Sequence, residues 1–394
     1  MKKLQFVIFL ISILIHISFY ISAYFTHTLD IFFEHVTIGQ DFFQIPNAAY
    51  AFLHGGTLDG QLPQGIPPYI DCCGVNFNVY HPLFTLLIGV PLQLFLPWIA
   101  FSIWAGLHFL TTLILLIIIW RKFKHHKWLY LALSFFLLNS YQYYEIQHAQ
   151  YHFLLSLFTL LFLLEVAKKD SIKGGILYFL ALFVKPIGLL WFMPLLLYKK
   201  FKVVLFGIGL YSLASLPFIF NSYGKFFFDN LKFVSSTPIA SYNLFAITNV
   251  FPAIPIENLR YISIIVFIFL IFLQVTKKLP VFSSIFIWIS FQLIFYSLVF
   301  HYHYSILAGL ISLGILMDIF SIKKIEVLPI IMLTIPTPII FFHLAGDPAI
   351  LPKNHLSLIA LWSIFWLLML NVLIILPILK KKGTVSLSGL NNTI

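Results

Sequence analysis

Apolar runs of about 18 residues or more recur along the chain, each long enough for a membrane-spanning helix. Short basic clusters separate them, at residues 1–3, 121–127, 168–173, 199–202, 277–278, 323–324 and 380–382. Lysine and arginine concentrate in cytoplasmic loops, so the pattern places these clusters inside. Segments 25–79, 140–151, 221–257, 301–304 and 344–356 then fall outside, and they hold most of the Asn, Tyr, Gln, His and Pro. The predicted class is an all-α polytopic membrane protein with about twelve membrane helices and both termini in the cytoplasm. Residues 1–382 read as one integral membrane domain. Its two large extracytoplasmic loops are 25–79 and 221–257, and a short polar tail follows at 383–394.

Two stretches break a simple up-and-down count. "YHPLFTLLIGVPLQLFLP" (80–97) runs directly into the apolar segment 98–120. Two full crossings would put the 121–127 cluster outside, so the first is predicted to be re-entrant or juxtamembrane, with Pro82, Gly89, Pro91 and Pro97 limiting regular helix. The second stretch, 174–202, has basic residues at both ends. A bend at Lys185-Pro186 returns the chain to the side it came from, because proline removes a donor and disfavours helix at the residue before it. That bend carries a lysine to membrane depth.

Composition agrees with the pattern: of 394 residues, 61% are hydrophobic and only 9% charged. The formal charge of +11 lies mostly in the inter-helix clusters, which excludes nucleic acid as the partner. The basic amino end resembles a signal peptide, but its apolar stretch is long enough to read as an uncleaved first helix. The only cysteines, Cys72 and Cys73, are adjacent and offer no disulfide framework.

Ionisable residues in such surroundings need a partner or a task. Lys185 is either a snorkelling ammonium or part of an anion site. Asp41 opens the amphipathic stretch "FFQIPNAAYAFLHGG" and reads equally as a helix cap or a functional carboxylate. "YQYYEIQHAQYHF" (141–153) gathers Glu145, Gln147, His148, Gln150 and His152. "FHYHYS" (300–305) adds His301 and His303. No HExxH and no Asp-x-Asp pattern occurs, so no metal is expected. The outside loops contribute Asp71, Asn76, Asn78, Tyr80, His81, Asn243 and Asn249. Arg260 suits a phosphate partner or a pairing with Glu257.

Several stretches together resemble the GT-C glycosyltransferases, in particular glycosyltransferase family 87. "GQDFFQIPNAAYAFLHGG" followed by "YHPLFTLLIGVPLQLFLP" is similar to a first extracytoplasmic loop with an acidic residue, an "A-x-x-x-L-x-G" stretch and a "Y-x-P-L/F" entry. "IQHAQYHFLLSLFTLLFLL" resembles the "G-Q-x-N-x-L-L" region, with Ala149 in place of Gly and His152 in place of Asn. "ALFVKPIGLLWFMPLLLYKK" resembles the "K-P-x-x-L-L" region, and "NLFAITNVF" and "HYHYSILAG" follow in order. An insertion, "DGQLPQGIPPYIDCCGVNFN", precedes the "YHP".

The resemblance implies a GT-C fold whose first extracytoplasmic loop carries amphipathic juxtamembrane helices. It implies transfer of a hexose, commonly mannose, from a polyprenyl-phosphate donor to a lipid or glycan acceptor, by inverting displacement and without a cofactor. The site would lie on the extracytoplasmic face of the bacterial inner membrane. Asp41 would be the catalytic base, and Lys185, with Arg260 and His301, would bind the donor phosphate. Gln150, Tyr80, His81, Asn243 and His303 would line the sugar and acceptor site. The alternatives are a transporter or flippase for envelope glycolipids, or a polysaccharide polymerase or ligase.

Overall fold

The apolar pattern becomes helix: among the described residues there are helices and turns and no strand. The structure, a computed structural model, describes residues 2–26, 28–29, 39, 41–70, 78, 80–220, 243–277, 279–296, 299–320, 325–334 and 355–380. Outside the described residues lie Asp71, Cys72, Cys73, Asn76, most of the second large loop, the tail 383–394 and the side chains of Asn249 and His301.

Among the described residues, five helices are long and apolar enough to cross a membrane. Three of these are α1 (Lys2–Ile21), α4 (Pro97–Phe123) and α10 (Phe201–Ile219). The others are α11 (Ile256–Lys277) and the Ala360–Pro377 part of α15 (His355–Lys380). Their outer faces present large apolar side chains such as Leu110, Ile117, Ile264, Ile265 and Phe272, all exposed. Contiguous apolar surface of this kind is costly in water and at ease in lipid.

Shorter helices complete the bundle: α5 (Leu129–Leu138), α7 (His152–Val166), α8 (Ile172–Val184), α12 (Val281–Phe295), α13 (Ile306–Leu316) and α14 (Val327–Thr334). The described part of α13 is wholly buried. Its Ser312 Oγ donates to the Ala132 carbonyl of α5 at 2.7 Å, which satisfies a hydroxyl in an apolar core. Helix α8 packs closely on α10, where Gly175 and Gly207 leave room for Phe206 and the Tyr178 ring.

Three of the basic clusters, 121–127, 168–173 and 199–202, meet at one end of this bundle. The Asp170 carboxylate accepts the backbone N–H groups of Lys202 at 3.1 Å and Val203 at 3.0 Å, joining the 168–173 and 199–202 clusters. Lys122 lies within Coulombic reach of Lys168 and Glu165. His126 meets Asp318 at 3.6 Å. The opposite end collects α6 (Tyr141–His148), the start of α7, the end of α8 and a tight turn at His301–Ser305.

The two unusual stretches resolve as follows. Segment 80–97 forms α3 (Pro82–Gln93), a 12-residue helix that accommodates Pro91 and packs on α2 (Gln44–Leu53). Gly89 permits that approach, since a Cβ there would stand 2.6 Å from the Ala49 Cβ and 2.7 Å from the Ile45 carbonyl. The second stretch breaks at Lys185, which has extended backbone (φ −151, ψ 133). A tight turn over Pro186–Trp191 follows and leads into α9 (Phe192–Leu197). Residue by residue, proline's restriction on its predecessor ends α8 where the sequence predicts.

Candidate active site

The polar end of the bundle is built around a turn between α6 and α7. Helix α6 ends at Ala149, whose backbone is left-handed (φ 50, ψ 47). Its N–H donates to Ile146 O at 3.1 Å, and that of Gln150 donates to Glu145 O at 3.1 Å. This closure resembles the usual helix C-terminal motif, with alanine where glycine is favoured. It presents His148, Gln150 and His152 within five residues at one end of the bundle.

The loop before α2 is pinned onto this turn. Gly39, at φ 72, donates its N–H to Gln147 O at 3.2 Å, in a conformation that glycine adopts without strain. Two residues later Asp41 is buried, 6% exposed. Its Oδ1 accepts from Gln44 Nε2 at 2.7 Å, and its Oδ2 lies 3.1 Å from His148 Nδ1. The N-cap position of α2 is Phe43, with no side-chain cap. Asp41 therefore does not cap that helix, and its carboxylate is held by side chains.

Lys185 projects from the break after α8. Its Nζ lies 2.9 Å from His303 Nε2 and 3.3 Å from His152 Nε2. The Tyr80 and Tyr302 rings flank it, with centroids at 5.7 Å and 5.5 Å. Tyr80 donates its hydroxyl to Gln150 Oε1 at 2.6 Å, which connects the loop before α3 to the α6–α7 turn. Asp41 and Glu145 both lie within Coulombic reach of Lys185. Asp41, Lys185, Tyr80, Gln150 and His303 thus meet in one cluster, although they come from widely separated parts of the chain.

Glu145 belongs to α6, a short polar helix that is not one of the spans. It is 2% exposed, and burial pushes its carboxyl up to about 8. Its carboxyl group faces the Ser305 hydroxyl and the Phe153 backbone. Glu145 itself lines a small cavity of ≈ 10 Å³, together with His108, Thr112, Gln142 and Ser156. That is room for about one water molecule.

Other predicted residues have different surroundings. His81 Nδ1 accepts the Leu83 N–H at 3.2 Å as N-cap of α3, while its Nε2 lies 2.9 Å from Ser215 Oγ. Burial lowers its pKa to about 4, so it is neutral near pH 7. Asn243 Oδ1 accepts the Phe245 N–H at 3.0 Å, and its Nδ2 donates to Tyr296 O. Arg260 is exposed near the start of α11, with no contact to the cluster among the described residues. Glu257 is exposed as well, and the described residues include no ion pair between the two. No group of three or more metal-ligating side chains occurs among the described residues.

Sequence reasoning singled out neither Gln44, which lies on Asp41, nor Tyr302, which lies beside Lys185. The signal for Gln44 was its position three residues after Asp41, one helical turn along. His148 and His152 stand out in the sequence as polar residues without an assigned role, and the structure gives each a partner in the cluster.

No curated protein and no solved structure matches the chain. The matched family segment carries Tyr80, Gln150, His152 and Lys185, while Asp41 and His303 flank it on either side. Residues 78–243 match the model of glycosyltransferase family 87, a family whose activity is glycosyl transfer, in agreement with the resemblance read from the sequence motifs.

Proposed function

We propose that the protein transfers a hexosyl residue, with mannose the sugar favoured by the resemblance, from a polyprenyl-phosphate donor to a lipid or glycan acceptor. The reaction takes place on the extracytoplasmic side, at the end of the bundle opposite the basic clusters. The observation that carries this reading is the meeting of Asp41 and Lys185 in one cluster, each held by histidine. A base and an anion-binding group are the two elements that displacement at a sugar phosphate requires.

In this reading the acceptor hydroxyl attacks the anomeric carbon as its proton passes to the Asp41 carboxylate. The bond from that carbon to the phosphate oxygen breaks, and its electron pair stays on the departing polyprenyl phosphate. Lys185 stabilises the charge that develops there. Tyr80 and Gln150 offer a ring face and polar atoms to the sugar. A single displacement inverts the anomeric centre.

The test incubates membranes holding the protein with radiolabelled polyprenyl-phosphate mannose and envelope extract. Asp41→Asn and Lys185→Ala, matched for expression, run beside the native chain. Labelled product from the native protein that is lost in both variants is the expected result. Equal transfer by Asp41→Asn would remove the base assignment.

A further inference from the structure

The hydrogen-bond pattern around Lys185 constrains its protonation. In the turn after Phe300, the Phe300 backbone N–H donates to His303 Nδ1 at 3.0 Å. That nitrogen is therefore an acceptor, and in a neutral imidazole the proton then sits on Nε2. His303 Nε2 is the atom 2.9 Å from Lys185 Nζ. An N–H facing an ammonium would set two donors against each other with no lone pair between them. The contact is a hydrogen bond only when the lysine nitrogen offers its own lone pair, as an uncharged amine does.

The second contact fits the same assignment. An amine that accepts from His303 still has two N–H groups to donate, and His152 Nε2 lies 3.3 Å away. The result is a directed chain, from His303 through Lys185 to His152. Among the described residues, the groups around Nζ are Tyr80 from the loop before α3, His152 from α7, and Tyr302 and His303 from the turn before α13, with Asp41 from the loop before α2 and Glu145 from α6 within Coulombic reach. None of these groups carries a fixed positive charge.

A neutral amine beside the Asp41 carboxylate leaves little positive charge to receive an anionic lipid phosphate. Burying an uncompensated anion there would be costly. A phosphate oxygen, however, accepts from two donors at once, and so lets Nε2–H and a lysine ammonium point at the same ligand without conflict.

Building on the donor reading above, we propose that Lys185 rests as an amine locked by His303 and takes up one proton from solvent when the phosphate of the lipid donor binds. The balance is simple: the amine plus a solvent proton becomes the ammonium, and Nζ turns from His303 to the phosphate. His303 then serves as a second phosphate donor through Nε2 rather than as a sugar ligand. The charge that stabilises the leaving phosphate is thus created only when substrate is present.

The test is isothermal titration calorimetry of the purified protein in detergent with farnesyl methyl phosphate. This phosphodiester stays a monoanion throughout the working range, so any proton taken up enters the protein. Titrations near neutral pH in two buffers of different ionisation enthalpy give the number of protons linked to binding. The native protein is expected to take up about one proton per ligand bound. Lys185→Arg, permanently charged, is expected to bind with none. His303→Gln, whose amide can accept from an ammonium, is expected to bind with uptake much reduced. Binding by the native protein with equal heats in both buffers would overturn the proposal, and so would undiminished uptake in Lys185→Arg. Absence of binding to the native protein would instead remove the lipid-phosphate donor reading, and this inference with it.

Discussion

Asp41 and His148 meet across a sequence gap of more than a hundred residues, with Oδ2 3.1 Å from Nδ1 in a buried setting. The other carboxylate oxygen is fixed by Gln44 Nε2 at 2.7 Å. The Gln44 hydrogen bond and the close approach of His148 together restrict the orientation of the carboxylate, which lies within Coulombic reach of Lys185. His148 is in this sense a positioning residue for the proposed base.

Removing that contact should cost catalysis more than binding. A close polar contact to a buried carboxylate contributes about 1.5–3 kcal/mol, equivalent to roughly a 10- to 150-fold change in rate. His148→Ala is therefore expected to lower kcat of sugar transfer by that factor with little change in KM for the donor. His148→Gln, whose amide can still donate to Asp41, should recover most of it. Steady-state kinetics on the three proteins decides the matter; full kcat in His148→Ala would reduce the contact to packing.

The turn beside His148 makes a second, independent prediction. Ala149 sits at φ 50, a left-handed conformation that costs a residue with a Cβ roughly 1–2 kcal/mol. Ala149→Gly removes that strain, offset in part by the entropy glycine loses on folding. Ala149→Val adds a branched side chain where the backbone least tolerates one. Thermal unfolding in detergent should rank glycine at or above alanine, and valine clearly below both. Transfer activity should fall in the valine variant too, because the turn places His148 and Gln150.

What the sequence made legible follows from which forces act locally. The meeting of the 121–127, 168–173 and 199–202 clusters rests on charge beside apolar runs, and the break at Lys185-Pro186 rests on proline's covalent geometry; both are written within a few residues. Asp41 and Lys185 stood out because ionisable groups in apolar surroundings need partners. The partners themselves were not legible. His148, Tyr302 and His303 reach these two residues by contacts that only the folded bundle creates, and Gln44 reaches Asp41 locally, from three residues on. His81 and Asn243 illustrate the converse: an imidazole or amide in a loop serves as readily to cap a helix as to hold a sugar. In the structure both have their polar atoms bonded to backbone or to Ser215.

Helix packing gives a prediction with its own control. A Cβ on Gly207 would run into the Tyr178 ring, where α10 lies against α8, whereas one on Gly209 would meet nothing within 4 Å. Both glycines are in the same helix, two residues apart and therefore on different faces. Gly207→Ala is expected to destabilise by about 1–3 kcal/mol through overpacking. Gly209→Ala should be neutral or slightly stabilising, since alanine is the better helix former. Melting curves of the two variants in the same detergent separate the packing effect from helix propensity. Similar losses in both would show that the α8–α10 contact is looser than the geometry requires.

The buried Glu145 sets a pH dependence whose direction can be worked out in advance. Burial raises its carboxyl from the ordinary 4.5 to about 8 in the folded protein. Between those values the folded state holds a proton that the unfolded state has released, so stability must fall as pH rises through this window. The group's favourable contribution is fully present below pH 4.5 and is lost as pH passes about 8. Glu145→Gln keeps the shape and a donor toward Ser305 but has nothing to titrate. Melting temperatures measured between mildly acid and mildly alkaline pH should therefore decline more steeply in the native protein than in Glu145→Gln, with the two curves diverging toward the alkaline end. Parallel curves would mean that Glu145 is already ionised in the folded bundle, compensated by a positive charge. Lys185 is the cation within reach, so that outcome would also favour its ammonium form in the donor-free protein.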